Sequence, residues 1–188
     1  MAISHAILAA LADTACSGYD LSKKFAGSVG FFWHATQQQV YRELSKLEEQ
    51  GYITGEVIHQ EGRPAKKILT ITETGKDYLR QWIAKPCEVT HSKDELLVKI
   101  FTGYLVPKEI IIKELENHHL QHQETLNTYL EIEKKYFNGG KQLSQEQKYQ
   151  YITLRNGIRF EKEWIAWCDE AIELLGGTDK SGAKLLIP

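Results

Sequence analysis

Residues 36–72, TQQQVYRELSKLEEQGYITGEVIHQEGRPAKKILTIT, decide the fold. Thr36 followed three residues later by Gln39 is a capping box, in which each side chain can accept the other's free backbone N–H at a helix start. Val40, Leu44 and Leu47 then recur at helical spacing and make one apolar stripe. Gly51 supplies the left-handed residue that ends such a helix. Beyond it Tyr52, Ile53, Val57 and Ile58 favour a strand, as do Ile68, Leu69, Thr70 and Ile71. Gly62 and Pro64 supply the turn between them, with Arg63, Lys66 and Lys67 expected to crowd its tip. The order is helix, strand, basic turn, strand.

Off the apolar stripe stand Gln37, Gln38, Tyr41, Arg42, Ser45 and Lys46, groups able to hydrogen-bond base edges and phosphates. Three like charges on a hairpin tip repel one another, which points to an anionic partner. Taken alone, the loop is equally a solvated hairpin with surface cations. Coupled to the preceding helix, it reads as a surface for double-stranded DNA.

The flanks complete a winged helix-turn-helix. A first helix is expected near Ile3 to Asp13, with Ile7, Leu8 and Leu11 facing inward. Ser17 and Asp20 form a second capping-box pattern and start a helix that Gly27 and Gly30 end. Phe31, Phe32 and Trp33 then read as a core plug, and Thr72 caps a helix through Tyr78, Leu79, Trp82 and Ile83. This gives a DNA-binding domain over residues 1–85, a linker over 86–93, a helical domain over 94–176 and a tail over 177–188.

The helical domain holds three stretches. One runs from Asp94 to Val106. A second starts with Pro107 at its first helical position and runs to about Phe137. Asn138-Gly139-Gly140 breaks it, and Ser144 with Gln147 caps a last helix ending near Leu175. Ile111, Leu115, His118, His122, Thr125, Tyr129, Ile132 and Tyr136 follow the spacing of a coiled-coil seam, and so do Leu154, Ile158, Ile165, Cys168, Ile172 and Leu175. Two such stripes exceed what one small domain is expected to cover, so a homodimer is predicted, and a two-fold dimer matches a palindromic operator. The fold class is mainly α with a small β-wing.

With 42% hydrophobic and 26% charged residues in 188, the composition is that of a globular protein. No apolar run approaches the ~20 residues that span a bilayer. The N-terminal stretch lacks the basic start of a signal peptide, so no membrane association is expected and the location is predicted to be cytoplasmic. The net charge is −2: residues 1–85 carry 10 basic against 9 acidic groups, +1, and the rest 13 against 16, −3. Affinity for DNA depends on phosphate contacts at the interface, and this balance predicts weak binding to DNA of arbitrary sequence. Three scattered cysteines, Cys16, Cys87 and Cys168, argue against a disulfide framework or zinc cluster and predict buried reduced thiols.

Two clusters could carry chemistry. His118, His119 and His122 lie within two helical turns, with Glu114 one turn earlier; they are either a metal site or a polar, pH-sensitive break in the dimer seam. On the last helix Tyr151, Arg155, Arg159, Trp164 and Trp167 combine rings with guanidinium groups. That suits stacking and charge-assisted hydrogen bonding to a small aromatic acid, although helix packing explains any one ring as well. No hydrolase elbow, phosphate-binding glycine loop or paired carboxylates occur in a fitting context, so no enzyme activity and no cofactor are expected.

AILAAL, SGYDL at 17–21, QQVYRELSKLEEQGYI at 38–53, GRPAKKILTIT at 62–72, TGKDYL at 74–79 and KDELLVKIF at 93–101 together resemble the PadR-like bacterial transcription regulators. With Glu161 and Trp167 on the final helix, the chain is similar to the longer-tailed branch of phenolic-acid-responsive repressors. Arg42 stands where proline is common in that family, and Leu69 where an aromatic is common. The resemblance implies a homodimer whose winged helices bind an inverted repeat, with helices that sense a small aromatic or hydrophobic effector. It implies groove contacts from Gln37, Gln38, Tyr41 and Arg42, and phosphate or minor-groove contacts from Tyr19, Lys46, Arg63, Lys66 and Lys67. The alternative is a winged-helix module that docks protein without specific DNA binding.

Overall fold

Thr36 begins its helix as the spacing predicts. In the computed structural model its hydroxyl accepts from the Gln39 amide at 3.2 Å, and the Gln39 side chain accepts from the Thr36 amide at 2.9 Å. The structure describes residues 2–26, 35–60, 63–89, 93–137 and 140–177. The expected glycine stops at 27 and 30, the aromatic plug at 31–33, Gly62, the 90–92 part of the linker, the break at 138–139 and the tail from 178 lie outside the described residues. The chain divides into two compact units, Met1–Thr90 and His91–Pro188.

The first unit runs α1 (Ala2–Asp13), β1 (Cys16–Ser17), α2 (Gly18–Ala26), α3 (Gln37–Glu49), β2 (Ile53–Gln60), β3 (Arg63–Ile71) and α4 (Glu73–Ile83). Helix α3 ends in a two-bond cap: the Gly51 amide donates to Glu48 O at 3.0 Å and the Tyr52 amide to Leu47 O at 2.9 Å. Gly51 has φ 73°, a conformation that costs a side-chain-bearing residue about 1–2 kcal/mol. Val40, Leu44 and Leu47 are buried with Ile7, Leu8 and Leu11 of α1, Leu21 and Phe25 of α2, and Ile53, Leu69 and Ile71 of the sheet. Thr72 fastens the end of the wing. Its hydroxyl donates to Gly51 O at 2.7 Å and accepts from the Gly75 amide, so the start of α4 is tied to the α3 cap.

Two expectations about this unit change. The sheet has three strands in the order β1-β3-β2, because Cys16 and Ser17 pair with Leu69 and Ile68. The two lysines do not crowd a loop tip either. Arg63, Lys66 and Lys67 belong to β3, paired opposite Gln60, Ile58 and Val57. The strand pairing carries on through the basic segment, which spreads the three residues along the ribbon. The architecture is a winged helix-turn-helix.

The second unit comprises α5 (Glu95–Phe101), a 3₁₀ turn at Gly103–Leu105, α6 (Lys108–Ile132), a π-turn at Glu133–Phe137 and α7 (Gln145–Gly176). Asp94 caps α5 by accepting from the Leu96 amide. The helix expected to reach Val106 stops at Phe101, since Thr102 leaves helical geometry at φ −107°, ψ 11°. Pro107 is the N-cap of α6 rather than its first helical residue, because its ψ is 133°. Ser144 and Gln147 form the predicted capping box.

Helices α6 and α7 run antiparallel and pack on each other: Ile111, Leu115 and Cys168 are buried together, with Trp164, Trp167 and Ile172 against them. The two apolar stripes therefore cover one another within one chain, which corrects the premise that both need a second subunit. Large apolar side chains remain on the outside, among them Phe101 at 72%, Tyr104 at 83% and Leu105 at 71% exposure. Cys16 and Cys168 are buried thiols, whereas Cys87 is exposed in the coil after α4, contrary to the expectation for all three. Among the described residues no helix is long and apolar enough to cross a membrane.

Candidate functional site

Because Val40, Leu44 and Leu47 turn one face of α3 into the core, the opposite face is left to solvent. Gln37, Gln38, Tyr41, Arg42 and Ser45 line one shallow depression along it. Their chemistry is mixed: amides that both donate and accept, a phenol, a guanidinium with a fork of donors and a hydroxyl. Such a row can read the donor and acceptor pattern of base edges in a major groove, which is wide enough for a helix. Arg42 makes no ion pair among the described residues, so its guanidinium is available.

The expected backbone-contacting residues stand around this helix in different states. Tyr19, on the first turn of α2, is exposed, with Lys23 Nζ 4.6 Å above its ring. Lys46 pairs with Glu43 at 3.2 Å, Lys66 with Asp20 at 2.8 Å and Lys67 with Glu48 at 2.7 Å. The backbone of Arg63 is fixed opposite Gln60, while its side chain lies outside what the structure describes. Among the described residues, six of the ten basic residues of 1–85 (Lys24, Lys46, Lys66, Lys67, Lys76 and Arg80) thus sit in ion pairs. The near-neutral charge of this unit is built as pairs. Sequence reasoning missed Asp20 and Glu48 as partners, because both lie far along the chain from the lysines they meet.

In the second unit the expected aromatic site separates into two clusters. Tyr151 Oη donates to Glu133 Oε1 at 2.8 Å and Arg155 Nη1 donates to the same oxygen at 3.0 Å. These bonds, the tyrosine's first, hold the Glu133 carboxyl below the usual carboxylate range, and the carboxylate in turn pushes the Tyr151 phenol up. The Arg155 charge is therefore already met. Arg159 is exposed.

Trp164 belongs to the other cluster. It stacks on the His122 ring at 4.9 Å and 12°, and Trp167 meets it edge-on at 5.1 Å. His122 Nδ1 is bonded to Glu161 Oε2, a carboxylate only 6% exposed. His119 turns instead to Asp169 at 3.3 Å, and the His118 and His122 rings are 6.2 Å apart. Among the described residues no three His, Cys, Asp or Glu side chains stand close enough to hold a metal. Glu161 and Glu133 are the residues sequence reasoning did not place in these clusters. Glu161 had a signal: it occupies the seam position between Ile158 and Ile165, opposite a histidine in the other seam.

Comparison with known proteins agrees with this architecture in both units. Residues 7–81 match the transcriptional regulator PadR-like family and residues 92–176 the virulence activator alpha C-terminal family. The chain is 35% identical to the probable transcriptional regulator Rv1176c of Mycobacterium tuberculosis, covering 93% of this chain and 98% of the relative. It is 25% identical to the negative transcriptional regulator PadR of Bacillus subtilis, covering 92% and 97%. Among solved structures it resembles Bacillus subtilis PadR in complex with operator DNA, with a TM-score of 0.80 at 25% identity over 93% of this chain and 99% of the other. It also resembles the Vibrio cholerae virulence activator AphA, with a TM-score of 0.74 at 31% identity over 93% and 98%. The Mycobacterium and Bacillus relatives are transcriptional regulators, a function without catalysis. With residues 7–81 matched to the family and a relative 35% identical along nearly its whole length, the chain belongs to the PadR-like family of transcriptional regulators.

Proposed function

We propose that this regulator is a homodimer that binds an inverted-repeat operator through α3 and the wing, represses from it, and is released by a small aromatic or hydrophobic effector. One observation carries the DNA reading: the outward face of α3 gathers Gln37, Gln38, Tyr41, Arg42 and Ser45 in a fold shared with an operator-bound relative. In this reading Gln37, Gln38, Tyr41 and Arg42 enter the major groove. Tyr19, Lys46, Arg63, Lys66 and Lys67 line the flanking backbone, two of the lysines in competition with Asp20 and Glu48.

The dimer reading is supported by the large apolar side chains that the second unit exposes, among them Phe101, Tyr104, Leu105, Ile110 and Ile152, which a second copy would bury. The effector reading rests on the rings of α7, with Tyr151, Arg155, Arg159, Trp164 and Trp167 as its candidates. Repression follows the name of the Bacillus relative; the name of the Vibrio one favours activation. A reporter driven by the bound promoter separates the two by the sign of its response to deletion of the regulator. The pairing of six of the ten basic residues favours, as a second reading, a module that docks protein.

A DNase footprint on the promoter upstream of its own gene tests the DNA reading. Two protected half-sites about 10 base pairs apart, or a multiple of that, are expected of a two-fold dimer. The absence of any protected region at micromolar protein supports the docking module instead. A thermal-shift screen of aromatic acids and cationic drugs tests the effector, and no stabilisation by any of them would contradict it.

A further inference from the structure

Consecutive residues of a strand point to opposite faces of the sheet. Lys66 and Lys67 therefore leave β3 in opposite directions, and each meets a carboxylate. Lys66 Nζ is 2.8 Å from Asp20 Oδ2, the oxygen that also accepts from the Ser17 hydroxyl at 2.8 Å. Lys67 Nζ is 2.7 Å from Glu48 Oε2 on the last turn of α3. The second pair has a slot made for it. A Cβ on Gly55 would stand 2.1 Å from Lys67 Cε and 2.9 Å from Glu48 Oε1, so the bare glycine gives the lysine stem its room. The Asp20 carboxyl is held below the ordinary carboxylate range, first by Lys66 and then by Ser17, so it stays charged at neutral pH.

We propose that Asp20 and Glu48 keep sequence-independent DNA affinity low by holding the two wing lysines. The inference rests on the DNA-binding reading above. Neither carboxylate is asked to touch DNA; each acts through its lysine. Exposed ion pairs are weak, so a phosphate can draw the lysine away, but the carboxylate stays behind and repels that phosphate. Backbone contacts carry no base information, and a genome offers a vast excess of wrong sites. Damping the wing limits the fraction of regulator held on them, and leaves discrimination to α3. Phosphate contacts set the salt dependence of binding, so that dependence reports how many lysines are free to take part.

The test uses the full-length protein and fluorescence anisotropy across a salt series. Two duplexes of equal length serve as probes, one from the promoter upstream of its own gene and one of scrambled sequence. Glu48→Gln and Asp20→Asn are each expected to tighten binding to both duplexes. Each should also steepen the plot of log K against log salt by about 0.9 for every further phosphate neutralised, roughly threefold in K over a fourfold change in salt. Lys67→Gln should then flatten the plot more in the Glu48→Gln background than in the wild type. A purely structural role for Glu48 would not produce that coupling.

Unchanged or shallower slopes in both carboxylate variants, with operator binding by the wild type intact, overturn the damping role alone. So does an equal loss of slope on Lys67→Gln in the two backgrounds. A wild type that binds neither duplex overturns the DNA reading, and this inference with it. The two carboxylates stand on different helices, so failure of one variant to fold leaves the other to decide.

Discussion

His122 and Glu161 lie 39 residues apart and meet between α6 and α7, with His122 Nδ1 and Glu161 Oε2 separated by 2.5 Å. Trp164 covers the imidazole, and the carboxylate is buried at the seam. A buried polar pair thereby helps to fix the register of the two apolar stripes. Glu161→Ala should cost about 1–3 kcal/mol, the penalty for a buried polar group without its partner. The double variant His122→Phe with Glu161→Leu should recover most of that, because neither group is then left unpaired. Urea unfolding followed by circular dichroism measures both, and a double variant no more stable than Glu161→Ala would contradict the register-lock account.

Glu133 makes the far end of the same hairpin sensitive to pH. Its carboxyl is held below its ordinary value by the Tyr151 hydroxyl and then Arg155. A group whose folded pKa is depressed adds stability above its unfolded value, lost as pH falls through the folded value. The Tyr151 phenol is raised, first by the Glu133 carboxylate, so its contribution is full below its ordinary value of 10.0 and is lost as pH rises through the folded one. The hairpin tip should therefore be firmest between those limits. Glu133→Gln should flatten the acid side of a melting-temperature profile below about pH 4.5, the ordinary carboxyl value. An acid limb as steep as that of the wild type would contradict this role.

Leu47 joins the core of the first unit to the α3 cap, since its carbonyl accepts from Tyr52 while its side chain is 1% exposed. Leu47→Ala should cost about 2–5 kcal/mol and abolish cooperative unfolding of this unit first. Gly51→Ala should cost about 1–2 kcal/mol through its positive φ alone, because the new methyl group would meet only open space. Differential scanning calorimetry orders the two, and a Gly51→Ala protein as stable as the wild type would show that the cap relaxes.

These elements also mark what the sequence discloses. The Thr36–Gln39 box, the Val40–Leu44–Leu47 stripe and the Gly51 stop are all decided within a few residues, so they can be read directly. Strand β1 cannot, because two residues become a strand only by pairing with Leu69 and Ile68, more than fifty positions away. Sequence separation also hides the partners of Lys66 and Lys67, with Glu48 lying 19 residues before its lysine and Asp20 farther still, and with them the difference between a bare basic tip and a wing of held cations. Seam rhythm in α6 and α7 is legible, but it does not say which stripe covers which. Here the second helix of the same chain does it, and the apolar groups left outside include Phe101 of α5, Tyr104 and Leu105 of the 3₁₀ turn, Ile110 of α6 and Ile152 of α7.

Arg42 tests the reading of α3 residue by residue. It is exposed, lies beside Tyr41 and Gln38, and has no ion-pair partner among the described residues. Arg42→Ala should leave the fold intact, because Val40, Leu44 and Leu47 carry the packing. A side chain that reads a base edge is worth about 1–3 kcal/mol of discrimination, so preference for one operator position should relax by that amount. Competition binding against single-base operator variants measures it, and a uniform loss across all of them would instead make Arg42 a phosphate contact.

The most direct measurement for the central claim is the affinity of the full-length protein for its own promoter duplex against a scrambled duplex, repeated with Gln38→Ala and Arg42→Ala combined on α3. The account predicts a clear preference in the wild type. It predicts that the variant loses the preference while keeping weak, salt-sensitive binding to both duplexes. Equal affinity of the wild type for the two, or an α3 variant that keeps the full preference, would contradict it.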